Sequence, residues 1–429
     1  MGNKITITGI TEKLEKYDAA GIIIANQQYE LIAGGICNAL NASMTFDIKV
    51  GDDDEDDDSS WNETGSFYLK LLFFNKNTNI KNNEYIYIGK ETINNIENNI
   101  TDDTDNTVEQ AAKITITRAN TTITFNMFAN RPPPTAQETT FAQAPATQTS
   151  SQHNWMSKVP DSKLVRNIAI PGTHDAAAYN TYKIFEDYAK CQSTTIAQQL
   201  NDGIRYFDIR VGKLKKRHSG NLYHGIIRLW TRNGRDHLYL RGVVDDCIHF
   251  LNNNPTETVI LSLQHETSAK GNFKNECASS FTAGKEKYWL FEDFINKRLG
   301  EVRGKILLIN SSDTGKSGFT QNTNNTHKQN DWTAGGPTYS SIVKVKNEKI
   351  WKFLFESRES KYNNMLLLNQ WNRQANFFCS VSDGAFGINN AVWRDLTTFQ
   401  FPRGIQVMDY YWKEHVDRII NTPVNKETF

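Results

Sequence analysis

Ile-Ala-Ile-Pro-Gly-Thr-His-Asp at 168–175, followed by Tyr-Phe-Asp-Ile-Arg at 206–210 and Tyr-His-Gly at 223–225, decides how this chain folds. Each stretch is a short apolar run that stops abruptly in polar, titratable residues. A buried strand that feeds a loop produces that pattern. It sets His174, Asp175, Asp208, Arg210 and His224 at strand ends. Two imidazoles, two carboxylates and one guanidinium so arranged suit acid–base attack on a phosphate. Histidine titrates near neutral pH, so one neutral and one protonated ring can coexist. A carboxylate behind a ring fixes its tautomer. A guanidinium matches paired phosphate oxygens.

From residue 155 onward, strand and helix signals alternate. Strands are expected at 168–170, 206–211, 222–224, 258–263, 306–309, 365–368 and 406–408. Helices are expected at 194–202, at 289–299, ending at 349–355, and at 416–420. The clearest helix carries Leu240, Val243, Val244, Cys247, Ile248 and Leu251 at spacings of three and four, with Pro255 just past its end. Such alternation implies a parallel sheet wrapped by helices. No GxGxxG turn follows the first strand, which favours a barrel over an open doubly wound sheet. In a barrel, function gathers at the C-terminal strand ends. His174, Asp175, Asp208, Arg210, His224, Gln264 and Asp409 all fall there.

The first 129 residues have a different character. Runs such as Ile5–Ile7, 22–25, 45–50, 67–74, 85–88, 114–117 and 121–128 are rich in β-branched and aromatic residues and are separated by Asn, Asp and Gly clusters. About seven or eight short strands of that kind predict an all-β sandwich. Its 52–58 loop is wholly acidic but lacks an EF-hand's spacing of glycine and glutamate, so a solvated loop is expected there. Residues 130–153 open on three prolines and are rich in Thr, Ala and Gln, which predicts a linker. The domain plan is therefore a 1–129 sandwich, a 130–153 linker and a 154–429 barrel.

Net charge is zero but unevenly spread: residues 1–150 hold 11 basic against 21 acidic residues, hence −10, and 151–429 hold 37 against 27, hence +10. The basic half suits phosphates or an anionic surface. Five widely spaced cysteines form no CxxC pair, which argues against a zinc ribbon or a thioredoxin-like site. No apolar run approaches the ~20 residues of a membrane span.

The 155–420 segment resembles the catalytic domain of bacterial phosphatidylinositol-specific phospholipases C. The motifs Ile-Pro-Gly-Thr-His-Asp (170–175), Phe-Asp-Ile-Arg (207–210), Tyr-His-Gly (223–225), Thr-Val-Ile-Leu-Ser-Leu (258–263), Arg-Gly-Lys-Ile-Leu-Leu (303–308) and Val-Met-Asp-Tyr (407–410) carry the likeness, in family order. The resemblance implies a distorted TIM barrel. It makes His174 the general base toward an inositol 2-hydroxyl, His224 the acid toward the diacylglycerol oxygen, and Arg210 the phosphate-binding cation. Asp409 would orient His174, Asp175 would support His224 and Arg210, and Asp208 matches a further carboxylate of the family's site. The product would be inositol 1,2-cyclic phosphate. Calcium-dependent relatives have Asn after the first histidine; here Asp175 and Arg210 stand instead, so no metal or other cofactor is expected.

The family's basic residues after the fourth and fifth strands, which grip the inositol ring, are absent. Gln264, His265 and Glu266 follow one strand, and Asn310, Ser311 and Ser312 the other. Gln264, His265, Ser311, Trp371, Tyr410 and Tyr411 are therefore the expected substrate-binding set. The same mechanism on another phosphodiester, and a non-catalytic surface- or glycan-binding protein, stay open. The expected partner is a phospholipid at a membrane surface, not nucleic acid. A monomer, secretion or a cell-surface location, and a sandwich that binds glycan, lipid or a surface protein complete the expectations.

Overall fold

The computed structural model describes eight strands between residues 3 and 129, and residues 152–426 apart from 182–184, 213–219, 226, 232–235, 267–272, 283, 336–338, 376–378 and 396–400. The acidic 52–58 loop and all but two residues of the 130–153 tract lie outside the described residues. The chain divides into two compact units, one built on Met1–Thr140 and the other on Phe141–Thr181 and Glu186–Phe429.

In the first unit the strands are β1 (Asn3–Thr8), β2 (Ala19–Ala25), β3 (Leu31–Cys37), β4 (Ser43–Ile48), β5 (Ser66–Phe74), β6 (Glu84–Thr92), β7 (Glu109–Arg118) and β8 (Thr121–Ala129). They form two four-stranded antiparallel sheets, ordered β4-β1-β7-β8 and β3-β2-β5-β6. The alternation seen in the sequence becomes register: Ile7 lies opposite Ile116, which lies opposite Ile123. Strand β3 escaped the sequence reading because Gly34 and Gly35 look like a turn. They pair with Ile23 and Ile22 instead.

The second unit is built on strands β9 (Ala169–Thr173), β10 (Tyr206–Gly212), β11 (Asn221–His224), β12 (Ile227–Arg228), β13 (Val259–His265), β14 (Trp289–Leu290), β15 (Ile306–Asn310), β16 (Thr326–Gln329), β17 (Leu366–Gln370) and β18 (Gly404–Met408). Eight of them run parallel in the order β14-β15-β13-β10-β9-β18-β17-β16, with β11 and β12 attached to β10 as an antiparallel extension. First and last strands meet: β9 pairs with β18 from Ala169–Gly404 to Thr173–Met408. The wall is thus a barrel sheet that, among the described residues, stays open between β14 and β16. Gly172 of the Pro-Gly-Thr motif is required by packing, since a Cβ there would lie 2.8 Å from Tyr206 Cδ1 on the next strand.

Helices α1 (Glu186–Ala189), α2 (Ile196–Asn201), α3 (Leu240–Asn253), α4 (Phe273–Ala278), α5 (Leu299–Val302), α6 (Tyr339–Glu356), α7 (Val381–Asp395) and α8 (Lys413–Ile420) connect the strands. Thr195 caps α2 by accepting from the Gln198 amide. In α3 the predicted stripe is buried except for Ile248, which is half-buried, and Phe250 joins it. The helix expected at 289–299 does not form. Trp289 pairs as a strand with Ile306, and Phe281, Trp289 and Phe291 make an aromatic cluster with centroids 5.1–5.6 Å apart. Asp293 then accepts from the Ile295 amide, a local turn that competes with helix. Tertiary aromatic contacts outweigh the modest helical propensity of that run.

At the N-terminal end of the barrel, Arg205 and Glu257 form a fully buried ion pair at 2.8 Å. Every guanidinium hydrogen is used: Nε and Nη2 donate to Glu257, Nη1 to the Leu200 and Ile204 carbonyls, and Nη2 also to the His153 carbonyl. Removing one partner leaves the other charge buried and unpaired, which costs about 3–5 kcal/mol. Glu257→Gln is therefore expected to lower unfolding free energy by about that amount in urea denaturation followed by tryptophan fluorescence.

Candidate active site

Parallel neighbours in register share a face, and along one strand every second residue does. Tyr206, Asp208 and Arg210 share the face of Gly172, which lies opposite Tyr206, and Arg210 lies beside Gln264 on β13. His174 follows β9 and Asp409 follows β18, so both emerge where the strands end. Their backbones are clamped by the buried Gln192, whose amide donates to the His174 and Met408 carbonyls at 2.8 and 2.9 Å. Asp175 and Tyr410, the residues just beyond, have φ of 36° and 41°. This left-handed backbone is uncommon outside glycine and collects at functional sites.

His174 Nδ1 and Asp409 Oδ1 are 2.8 Å apart. Arg210 Nη2 donates to His174 Nε2, also at 2.8 Å. An arginine always donates, so Nε2 must hold a lone pair and Nδ1 must carry the proton given to Asp409. His174 is thereby fixed as a neutral ring whose free electron pair faces the cation. The second pair is different. His224 Nδ1 lies 2.7 Å from the fully buried Asp175 Oδ2. Burial alone lowers the His224 pKa, but Asp175 outweighs it and leaves it above the ordinary value. Asp175 shows the complement: burial pushes it up, while His224, Arg210 and His174 carry it below the usual carboxylate range. Gly225, at φ +59°, makes the turn that follows His224.

Arg210 joins the two pairs. It lies 3.8 Å from Asp175, 3.5 Å from Asp208 and 3.7 Å from Glu266. Burial opposes its charge, but Asp208, Asp175 and Glu266 more than restore it, so it stays fully cationic. Glu266 is pushed above the ordinary range by burial and by its acidic neighbours, with Arg210 pulling the other way. All six residues expected to be catalytic thus converge in one cluster.

The expected binding residues divide. Gln264 is half-buried beside Arg210, and Ser311 is exposed, its hydroxyl 2.8 Å from that of Ser262. Tyr410, next to Asp409, has its phenol pKa pushed up by burial and by the charges of Cys191, Asp409 and Glu186. Alternation turns His265 outward, its ring against Phe273 of α4 at 5.2 Å. Trp371 is a correction: it is 1% exposed, packed on Phe401 and His415, with its indole N–H turned to Gln406. Tyr411 is another, since its hydroxyl is committed to Asp202 at 2.8 Å and Thr194 at 3.0 Å.

Three residues of the cluster escaped the sequence reading. Glu266 is two positions beyond Gln264 and so shares its face, a signal that was available. Cys191 comes from a loop with no motif. Its Sγ lies 3.6 Å from His224 Nδ1, and burial pushes its thiol pKa up strongly. Lys328, on β16, feels the charges of Asp208 and Arg210. Two overlapping sets, His174–Cys191–Asp409 and Asp175–Cys191–His224, have ligand atoms within 4.8 Å of one another and are the metal-capable groups among the described residues. Their histidine and carboxylate members are already paired with one another. Among the described residues, no helix is long and apolar enough to cross a membrane.

Comparison with known proteins gives consistent matches. Residues 168–312 match the family described as phosphatidylinositol-specific phospholipase C, X domain. A 1-phosphatidylinositol phosphodiesterase of Listeria monocytogenes is 30% identical over 285 residues, covering 62% of this chain and 83% of the relative. One from Staphylococcus aureus is 25% identical over 266 residues, covering 58% and 81%. The solved phosphatidylinositol-specific phospholipase C from Listeria monocytogenes superposes with a TM-score of 0.54 at 28% identity, covering 65% of this chain and all of that one.

The charge state of His224 is open to direct measurement. In an NMR pH titration its ring is expected to titrate above the model-peptide value of ~6.5. Asp175→Asn removes the opposing carboxylate and leaves burial and Arg210, so the midpoint should fall below that of wild type.

Proposed function

The chain belongs to the phosphatidylinositol-specific phospholipase C family, and from that premise we propose that it cleaves phosphatidylinositol to diacylglycerol and inositol 1,2-cyclic phosphate. The observation that carries the reading is the pair of histidine–aspartate contacts, His174–Asp409 and His224–Asp175, bridged by Arg210. His174 Nε2, the lone-pair nitrogen, takes the proton of the inositol 2-hydroxyl as that oxygen attacks phosphorus. The bond from phosphorus to the diacylglycerol oxygen breaks, and protonated His224 supplies that oxygen with a proton. Asp409 holds the ring of His174 and stabilises it once it is charged. Arg210 turns its donors to the phosphate and meets the charge that grows there. Asp208, Asp175 and Glu266 keep its guanidinium in place. Glycosyl-inositol lipids present the same reacting atoms.

No metal is needed in this scheme: the positive charge at phosphorus comes from Arg210, and the nucleophile is made by His174. The 1–129 region is read as an accessory β-sandwich for glycan, lipid or a surface protein, the 130–153 tract as a linker, and 154–429 as the catalytic barrel. Action at a membrane surface by a secreted or cell-surface monomer fits the basic 151–429 segment. A second reading keeps the reaction and changes the head group. It is favoured by Gln264 and Ser311, which stand where the family has basic residues.

Phosphorus NMR of the products tests both. Wild type acting on phosphatidylinositol should give a cyclic phosphodiester signal, and His174→Ala none. Cleavage confined to other inositol phosphodiesters would select the second reading, and turnover of neither would overturn both. Arg210→Lys keeps the charge but loses the fork of donors, and should lower kcat by about 10²–10³-fold. Chelator should leave the wild-type rate unchanged; activity that is lost to chelator and restored by calcium would overturn the metal-free scheme.

A further inference from the structure

The cations facing the barrel interior beside the cluster are not limited to Arg210. Register shows where Lys328 points. It lies opposite Leu368 on β17, which lies opposite Ile405 on β18, which lies opposite Ile170 on β9. Parallel neighbours share a face, so Lys328 shares the face of Ile170, Gly172 and, through Tyr206, Asp208 and Arg210. Its neighbours in the strand point the other way. His327 stacks on Phe353 and Tyr362 with centroids at 4.7 and 3.9 Å, and Gln329 accepts from Lys346 of α6. Lys328 therefore enters the barrel from the wall that faces β10 across it.

Arg210 sits among Asp175, Asp208, Glu266 and His174, its Nη2 hydrogen-bonded to His174 and Asp208 and its Nε without a hydrogen-bond partner among the described residues, so it keeps donors for a phosphate. Lys328 makes no hydrogen bond or ion pair among the described residues. It stays exposed because β16 is an edge of the open wall. Protein around it lowers its pKa, Asp208 opposing and Arg210 adding. Position rather than titration carries the assignment. An ammonium has three donors and no acceptor, and here none has a partner among the described residues, on the wall opposite the group that would hold the phosphate. The ends of β13 and β15 carry no lysine or arginine: Gln264, His265 and Glu266 stand at one and Asn310, Ser311 and Ser312 at the other.

We propose that Lys328 is a head-group-binding residue, gripping the ring hydroxyls on the side of the polyol remote from the phosphodiester. The inference rests on the reading of the site as one that cleaves inositol phosphodiesters. Substrate is held between two walls: Arg210 on β10 takes the phosphate and Lys328 on β16 takes the far edge of the ring. This residue sets head-group specificity and takes no proton from the reaction.

The experiment crosses the variant with the substrate. Wild type and Lys328→Met are assayed on phosphatidylinositol and on an analogue that keeps the 2-hydroxyl but lacks the ring hydroxyls remote from phosphorus. On phosphatidylinositol, Lys328→Met should lose about 10- to 100-fold in kcat/KM, mostly through KM, as expected for one charge-assisted hydrogen-bonded contact. On the analogue, the two proteins should agree within about 3-fold. Lys328→Arg should recover most of the activity on phosphatidylinositol. Lys328→Gln, which keeps length and polarity, is the second variant if Lys328→Met melts early in circular dichroism. Equal losses on both substrates, or no loss on phosphatidylinositol, would overturn the assignment. Failure of wild type on phosphatidylinositol would instead overturn the proposed function.

Discussion

The hydrogen bond from Arg210 Nη2 to His174 Nε2 fixes the chemistry of the whole cluster. Taken alone, the two histidine–aspartate pairs are alike, with Nδ1 to carboxylate distances of 2.8 and 2.7 Å. A protonated His174 has no lone pair to offer, so the guanidinium selects the neutral ring. Among the described residues His224 has no such contact, and its buried carboxylate partner raises its pKa and so favours the charged ring. One arginine thus distinguishes two similar pairs, as the proposed roles of base and acid require. It also lets Asp175, Asp208 and Glu266 stand close together, because their mutual repulsion is met by a cation that does not titrate.

That sorting depends on strand register. Side chains alternate with period two, so a slip of one residue would turn a strand's contribution to the cluster outward. On the outer face, Gln329 donates to Asn369 at 3.0 Å and Asn369 donates to Gln406 at 3.0 Å, a buried amide ladder across β16, β17 and β18. Amides paired that closely do not tolerate a slip, since a displaced buried donor costs about 1–3 kcal/mol. The polar ladder outside the barrel thereby holds Lys328, Gln370 and Asp409 in their places. Arg205 and Glu257 perform the same service at the opposite end, where burial makes a mismatch still more costly.

The sequence was most legible where one physical demand dominated. The buried strands declared themselves through apolar runs, and α3 through its stripe at spacings of three and four. The six titratable residues at strand ends were legible because apolar runs seldom stop in such groups without cause. Elsewhere two demands competed. Trp289 and Phe291 have helical neighbours but join an aromatic cluster with Phe281. Trp371 and Tyr411 follow the right strands, yet fill the space between sheet and helix. Alternation continued one step past the end of β13 turns Glu266 inward and His265 outward, but the apolar run that marks the strand has already ended there. Cys191 and Gln192 come from a loop whose approach to His174 and Met408 is a tertiary fact with no local pattern.

Strand β16 shows why legibility and function part company. Thr-His-Lys-Gln has no apolar run, so hydrophobic pattern cannot find it. Its place explains the composition. Among the described residues it pairs on one side only, with β17, and forms an edge of the open wall. A strand enclosed on both sides needs apolar groups to fill both faces. An edge strand lacks one neighbour, so Lys328 keeps part of its surface in water even though the surrounding protein lowers its pKa. Charge on an edge also discourages pairing with another chain. On β16 the outer side chains pack, His327 on Phe353 and Tyr362 and Gln329 in the buried amide ladder, while the inner face presents the Lys328 ammonium, which makes no hydrogen bond or ion pair among the described residues. In a closed barrel, the same position would have to be filled by a side chain that packs. The break in the sheet and the polar strand beside it are one feature, and the cation they admit lies across the barrel from Arg210.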